Sequence, residues 1–190
     1  MKSQITIKKI QELLIKGVQT IYVDDDTSRR MWWASLEVIQ KDFLSQNYKQ
    51  GGIWVASPLP AFNDKKFLNQ LHGWLWSPEG FPYFQNENAG FLPVNNSEKI
   101  KKDFDLVSNY KVLNLCQEDG YEPFLMIITP NFQCVLSIVG EKDKKILLMK
   151  CDEESLKLSI ELMHAKLNQE NYEEGVKFRN AINNLGNLNI

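Results

Sequence analysis

The chain has 190 residues, of which 43% are hydrophobic and 11% aromatic, enough apolar volume for one domain with a proper core. Its 22 basic and 24 acidic residues leave a formal charge of −2, which disfavours a nucleic-acid binder that works by neutralising phosphates. No apolar run approaches membrane length, and residues 1–15 spread lysines through an amphipathic pattern, so the expectation is a cytoplasmic protein without membrane insertion.

Residues 5–16 read as a first helix. Ile7, Ile10 and Leu14, with Leu13 beside them, make an apolar stripe, and Gly17 stops it. Residues 18–23 are β-prone. Asp24, Asp25 and Asp26 follow. Hard cations take carboxylate oxygens, but acidic residues also load the positive end of a helix, with Asp26 or Thr27 as its cap. The capping reading is the stronger, and no metal site is expected. The second helix spans about 28–46, with Trp32, Leu36, Ile39 and Phe43 on one stripe. Arg29 and Arg30 lie beside Trp32 and Trp33. Such a cluster is most often half-buried helix surface, and it can also grip an anion.

Gly51 and Gly52 turn the chain into a strand at 53–57, which Pro58 and Pro60 end. Asn63 or Asp64 then caps a helix carrying Phe67, Leu68, Leu71, Trp74 and Leu75. Residues 77–94 are irregular and hold Phe81, Tyr83, Phe84 and Phe91. An aromatic loop of this length is either pinned to the core or lines a groove for a ligand or partner. Ser97 caps a further helix, with Ile100, Phe104 and Val107 facing inward. A strand at 111–116 follows, and Glu118, Asp119 and Gly120 make a turn.

The stretch from Glu122 to Leu185 organises the rest. The run at 124–128 is wholly apolar, as suits a strand buried on both faces. Pro130 and Asn131 separate it from a strand at 132–139, and a charged loop at 140–145 leads to a strand at 146–151. Leu125, Ile127, Val135, Ile138 and Leu148 are the expected core. Asp152 is a good N-cap for a helix whose stripe is Leu156, Ile160, Met163 and Leu167. Residues 168–171 interrupt it. A second helix from about Tyr172 places Val176, Arg179, Ile182 and Leu185 on one side, and Gly186 ends it.

Cys116, Cys134 and Cys151 are odd in number, lie far apart and fall on expected strands. They read as unpaired, buried, small apolar residues, with no zinc spacing among them. His72 and His164 both fall in helical patterns. No nucleophile–base pair or phosphate-binding glycine loop is visible. Carboxylate chemistry at Asp24, Asp25, Glu118 or Asp119 stays open, but no catalytic residue and no cofactor is expected.

Two resemblances add to this. The segment with Leu167, Glu170, Asn171, Tyr172, Glu173, Val176, Phe178, Arg179, Ile182 and Leu185 resembles the UVR motif. That motif is an antiparallel helical hairpin known from excision-repair nuclease B and C subunits and from protease-adaptor and stress proteins. Asn171, Tyr172, Glu173 and Arg179 match it. Gly175 stands where the family prefers alanine, and Asn180 where it prefers aspartate. The resemblance implies protein–protein contact; an ordinary amphipathic helix pair closing the domain is the alternative. Separately, Pro123, Phe124, Leu125, Pro130, Phe132, Val135 and Leu136 are similar to the closing sheet of DICT-type sensory domains, non-catalytic sensors found chiefly in cyanobacterial and other bacterial signalling proteins.

The expected architecture is α+β: an antiparallel sheet of strands near 53–57, 111–116, 124–128, 132–139 and 146–151, covered by helices. Residues 1–165 form one domain and 166–190 a C-terminal hairpin element. The expected function is a regulatory or adaptor protein that binds a protein partner, with a small ligand as a further option. Its contacts come from Phe81, Tyr83, Phe84, Phe91, Tyr172 and Arg179, because interface centres favour aromatics and arginine. The alternative is a small enzyme or anion- or nucleotide-binding protein that uses Asp24 to Asp26, Arg29, Arg30 and Trp33.

Overall fold

The structure is a computed structural model that describes residues 4–18, 21–45, 51–58, 71–79 and 109–186. Among them, the elements in chain order are α1 (Ile7–Leu14), α2 (Asp25–Val38), β1 (Ile53–Ser57), β2 (His72–Ser77), β3 (Tyr110–Asn114), β4 (Phe124–Ile128), β5 (Gln133–Glu141), β6 (Lys144–Lys150), α3 (Glu153–Glu170) and α4 (Tyr172–Asn184). The expected helix at 97–107 lies outside the described residues.

The fold is α+β, but the sheet is mixed rather than antiparallel. Its strand order is β3-β2-β1-β4-β5-β6. β4, β5 and β6 form the expected antiparallel meander, and β1 pairs antiparallel with β4. β2 runs parallel to both β1 and β3. It was the element that sequence reasoning placed in a helix. Leu71, Trp74 and Leu75 fit helical spacing, yet Trp74 and Trp76 point to one face of the sheet and Leu75 to the other. Gly73 explains the choice. A Cβ there would sit 2.2 Å from the Trp54 ring, so the missing side chain leaves room for an indole laid across from the next strand. His72 therefore begins a strand, exposed, and is not on a helix.

Period-two alternation divides the sheet into two cores. Ile53, Val55, Trp74, Trp76, Phe124, Met126 and Ile128 pack under α1, α3 and α4. Trp54, Ala56, Leu75, Leu125, Ile127, Cys134 and Leu136 pack under α2. Every residue of β4 is fully buried, because helices cover both sides of it. Leu125, Ile127, Val135, Ile138 and Leu148 are all in these cores, as expected.

The helices carry their predicted stripes with local differences. Thr6 caps α1, and Ile7, Ile10 and Leu14 are buried. Among the described residues of the expected strand at 18–23, only Val23 pairs, in an isolated bridge to Lys145. Asp24, not Asp26 or Thr27, caps α2, accepting from the Thr27 backbone N–H at 2.6 Å. A π-helical turn, Ile39–Leu44, then lengthens the repeat. Trp32, Leu36 and Ile39 are buried as expected, but the next buried position is Leu44 and Phe43 turns outward. One added residue per turn moves the stripe by one position. Phe43 instead stacks on Phe132, with ring centroids 4.4 Å apart.

α3 continues through Glu170, so the break before α4 is Asn171 alone, not residues 168–171. The buried face of α4 is Glu174, Gly175, Phe178 and Ile182, while Val176 and Arg179 point outward. Of the cysteines only Cys134 is buried; Cys116 and Cys151 are exposed, because each lies just beyond the end of a strand. All three are free thiols.

Truncating Leu125 or Leu148 to alanine should cost about 2–5 kcal/mol, the usual range where a packed core cannot collapse around the loss. Urea denaturation of the two variants checks this, and losses far below that range would misplace the core.

Candidate functional site

The α3–α4 hairpin is the most elaborately held part of the described structure. Asn171 ends α3 and caps α4, its side-chain oxygen accepting from the backbone N–H groups of Glu173 (3.1 Å) and Glu174 (3.3 Å). The helices then cross closely at Gly175. A Cβ there would meet Asn168 Oδ1 at 1.9 Å and the Asn168 backbone nitrogen at 2.9 Å.

Two tryptophans of β2 anchor the hairpin. Trp76 Nε1 donates to Glu170 Oε2 at 2.7 Å, and Trp74 Nε1 donates to Glu174 Oε2 at 3.0 Å. The indoles stand two residues apart on one face of the strand, and they meet carboxylates on either side of the hairpin turn. Burial works to raise the Glu174 carboxyl, but hydrogen bonds from Lys177 and Trp74 outweigh it and hold the group below its ordinary range.

Beneath this lies a buried charge cluster. Lys166 is 1% exposed, and its ammonium donates to Asp119 Oδ1 at 2.6 Å and Glu170 Oε1 at 2.5 Å. It also sits 5.3 Å from the Trp76 ring centroid. Asp119, itself 1% exposed, accepts from the backbone N–H of Ile7 at 3.3 Å and of Cys116 at 2.9 Å. It thus ties the start of α1 and the loop after β3 to α3. These groups are occupied in holding elements together, which gives Asp119 a structural use.

On the outer surface of the hairpin, Arg179 grips Glu161 of α3 with three contacts of 3.0 Å. The acid comes from the antiparallel partner helix and not from Glu173 or Glu174 on the same helix. Arg179 also lies 3.4 Å from His164 Nδ1, and Asn168 lies 2.9 Å from His164 Nε2. Burial, and then the Arg179 charge, lower the His164 pKa below its ordinary value. Tyr172 is 73% exposed, and Val176, one turn further along, is 38% exposed.

A cleft of about 690 Å³ opens beside α4 at the start of β1 and β2, lined among others by His72, Lys111, Glu174, Lys177, Asn180 and Asn184. Its charged groups are of both signs, with Lys177 paired to Glu174 at 2.8 Å. Among the described residues no cluster of three or more His, Cys, Asp or Glu could hold a metal ion.

The family described as Domain of unknown function (DUF8628) matches the chain over residues 8–190. The chain belongs to this family. The DUF8628 match therefore takes in both cores and the hairpin. Comparison with curated proteins and with solved structures found no match.

Of the remaining expected site residues, those among the described residues do not gather here. Arg29, Arg30 and Trp33 lie on α2, which covers the opposite face of the sheet. Arg29 is held by Asp25 at 2.8 Å, and Arg30 donates to Thr27 Oγ1 at 3.1 Å. Asp24 is used as a cap. Phe81, Tyr83, Phe84 and Phe91 lie outside the described residues. Sequence reasoning missed Trp74, Trp76, Lys166 and Glu170. The signal was a lysine beside the apolar stripe of α3, next to Met163 and Leu167.

Gly175→Ala should destabilise this protein although alanine is favoured over glycine by about 1 kcal/mol inside helices. The added methyl meets the α3 backbone, so the helices must separate. A thermal melt of the variant checks this; an unchanged or higher midpoint would contradict the close crossing.

Proposed function

We propose that this DUF8628 protein is a non-catalytic regulatory or adaptor module that works in the cytoplasm by binding a protein partner. The outer face of the α3–α4 hairpin is its contact surface. The observation that carries this reading is the exposure of Tyr172 and Val176, one helical turn apart on an element that is otherwise fully anchored. Tyrosine buries a large area at low conformational cost, and a surface already rigid loses little entropy on binding. The sequence resemblance to UVR hairpins, whose role is protein contact, points the same way. Among the described residues no helix is long and apolar enough to cross a membrane, in keeping with a partner met in solution.

The anion-binding alternative at α2 has less behind it, since Asp25 and Thr27 already engage the arginines. Phe124, Leu125, Val135 and Leu136 of the DICT-like pattern are buried and add no surface to this reading.

The test begins with affinity capture from native extract and continues with the recovered partner in purified form. Tyr172→Ala with Val176→Ser should leave the melt unchanged, because both side chains are exposed, and should weaken partner affinity roughly 30-fold or more, as loss of a central aromatic contact does. Equal affinities for the variant and the original protein, measured by calorimetry, would remove the hairpin from the interface.

A further inference from the structure

Cys134 and Cys151 are separated by a hairpin, and the ladder of β5 and β6 brings them face to face. The register pairs Val135 with Lys150 and Leu136 with Met149. Continued by one residue, it sets Cys134 opposite Cys151. Side chains directly opposite in an antiparallel pair project to the same face. Here that is the face of Leu136 and Phe132, under α2.

The hydrogen-bond phase at this position follows from bonds on either side. Phe132 accepts from the Thr129 backbone N–H at 2.9 Å, and Ile138 donates to the Pro123 carbonyl at 2.9 Å. Even-numbered residues of β5 therefore turn their backbone groups toward β4. On the far strand, Lys145 exchanges hydrogen bonds with Val23 at 2.9 and 2.8 Å, so odd-numbered residues of β6 turn theirs outward. Cys134 and Cys151 consequently form a non-hydrogen-bonded pair. Such pairs bring Cα atoms to about 4.5 Å, inside the range of about 4.4–6.8 Å that a disulfide spans.

We propose that Cys134 and Cys151 form a dithiol site that closes reversibly to a cross-strand disulfide by exchange with a low-molecular-weight disulfide. Cys151 is the exposed thiol and the point of attack; Cys134 is fully buried and reacts only from within. The Cys151 thiolate displaces one thiolate from the small disulfide and forms a mixed disulfide. Cys134 then gives up its proton, attacks Cys151 Sγ and releases the second small thiol. The protein loses two electrons and two protons, and the small disulfide becomes two thiols. A cleft of about 490 Å³ lined by Phe43, Phe132, Gln133, Met149 and Cys151 gives the small disulfide room beside the attacking sulfur.

The buried thiol carries a mark of its neighbour. Burial pushes the Cys134 thiol far up, and the neighbouring Cys151 adds to it. Burial, and next Asp152, raise Cys151. Exchange is accordingly slow at neutral pH, since the thiolate is the attacking form. With Cys151 at the surface, excess thiol can reach the bond and reopen it.

The test incubates the native full-length protein with oxidised glutathione, quenches with an alkylating agent, and maps peptides by mass without reduction. The expected result is one internal link between the peptides holding Cys134 and Cys151, lighter than the dithiol by two hydrogen atoms. It should be retained in Cys116→Ser, absent in Cys151→Ser and reversed by dithiothreitol. A stable glutathione adduct on Cys151 with Cys134 still free would overturn the proposal. A link to Cys116, or a link that forms only in denaturant, would do the same.

Discussion

The structure depends on one buried cation. Lys166 projects from α3 into the space between the sheet and α1, and its ammonium is removed from water almost completely. That removal costs several kcal/mol by itself, and only nearby opposite charge with good geometry offsets it. Asp119 and Glu170 supply that charge, and Trp76 presents its ring to the same nitrogen. Because Asp119 also receives backbone N–H groups from α1 and from the loop after β3, the partners arrive from α1, β2, α3 and the loop after β3. An apolar core fixes that helices cover a sheet; this cluster fixes which turn of α3 lies over which tryptophan of β2.

Close approach at two glycines completes that placement. Gly73 lets Trp54 lie across β2 from the far side, and Gly175 lets α4 press against Asn168. With both in place, Glu170 and Glu174 reach the indoles of Trp76 and Trp74 from either side of Asn171. The hairpin is therefore rigid at its inner surface, and its outer surface is left for Tyr172, Val176 and the Arg179–Glu161 pair. A rigid presentation of this kind is what a binding element needs, and it is why the hairpin carries the proposed function.

Much of this was legible in the residues. The apolar run at β4, the turn at Pro130 and Asn131, and the Asp152 cap each have a local cause, and each appears where that cause puts it. The stripe Leu156, Ile160, Met163 and Leu167 is buried in full. What was not legible depends on partners distant in sequence. β2 carries a spacing that suits either helix or strand, and pairing with β1 and β3 decides between them. The outward turn of Phe43 follows from a π-helical turn that no single residue announces. Arg179 has acids on its own helix and on α3, and only the antiparallel crossing selects Glu161. Lys166 and Asp119 are 47 positions apart, and nothing local marks either as the other's counter-ion.

The most direct test of this account is a double-mutant cycle across that pair. Asp119→Ala and Lys166→Met are made singly and together, and unfolding free energies are measured in urea. Asp119→Ala leaves the buried ammonium with Glu170 as its remaining carboxylate and should cost about 3 kcal/mol, the low end for a broken buried pair. Replacing Lys166 as well removes the stranded charge, so the double variant should be at least as stable as Asp119→Ala alone. Losses that simply add, or an Asp119→Ala protein as stable as the original, would contradict the claim that this cation sets the packing of the fold.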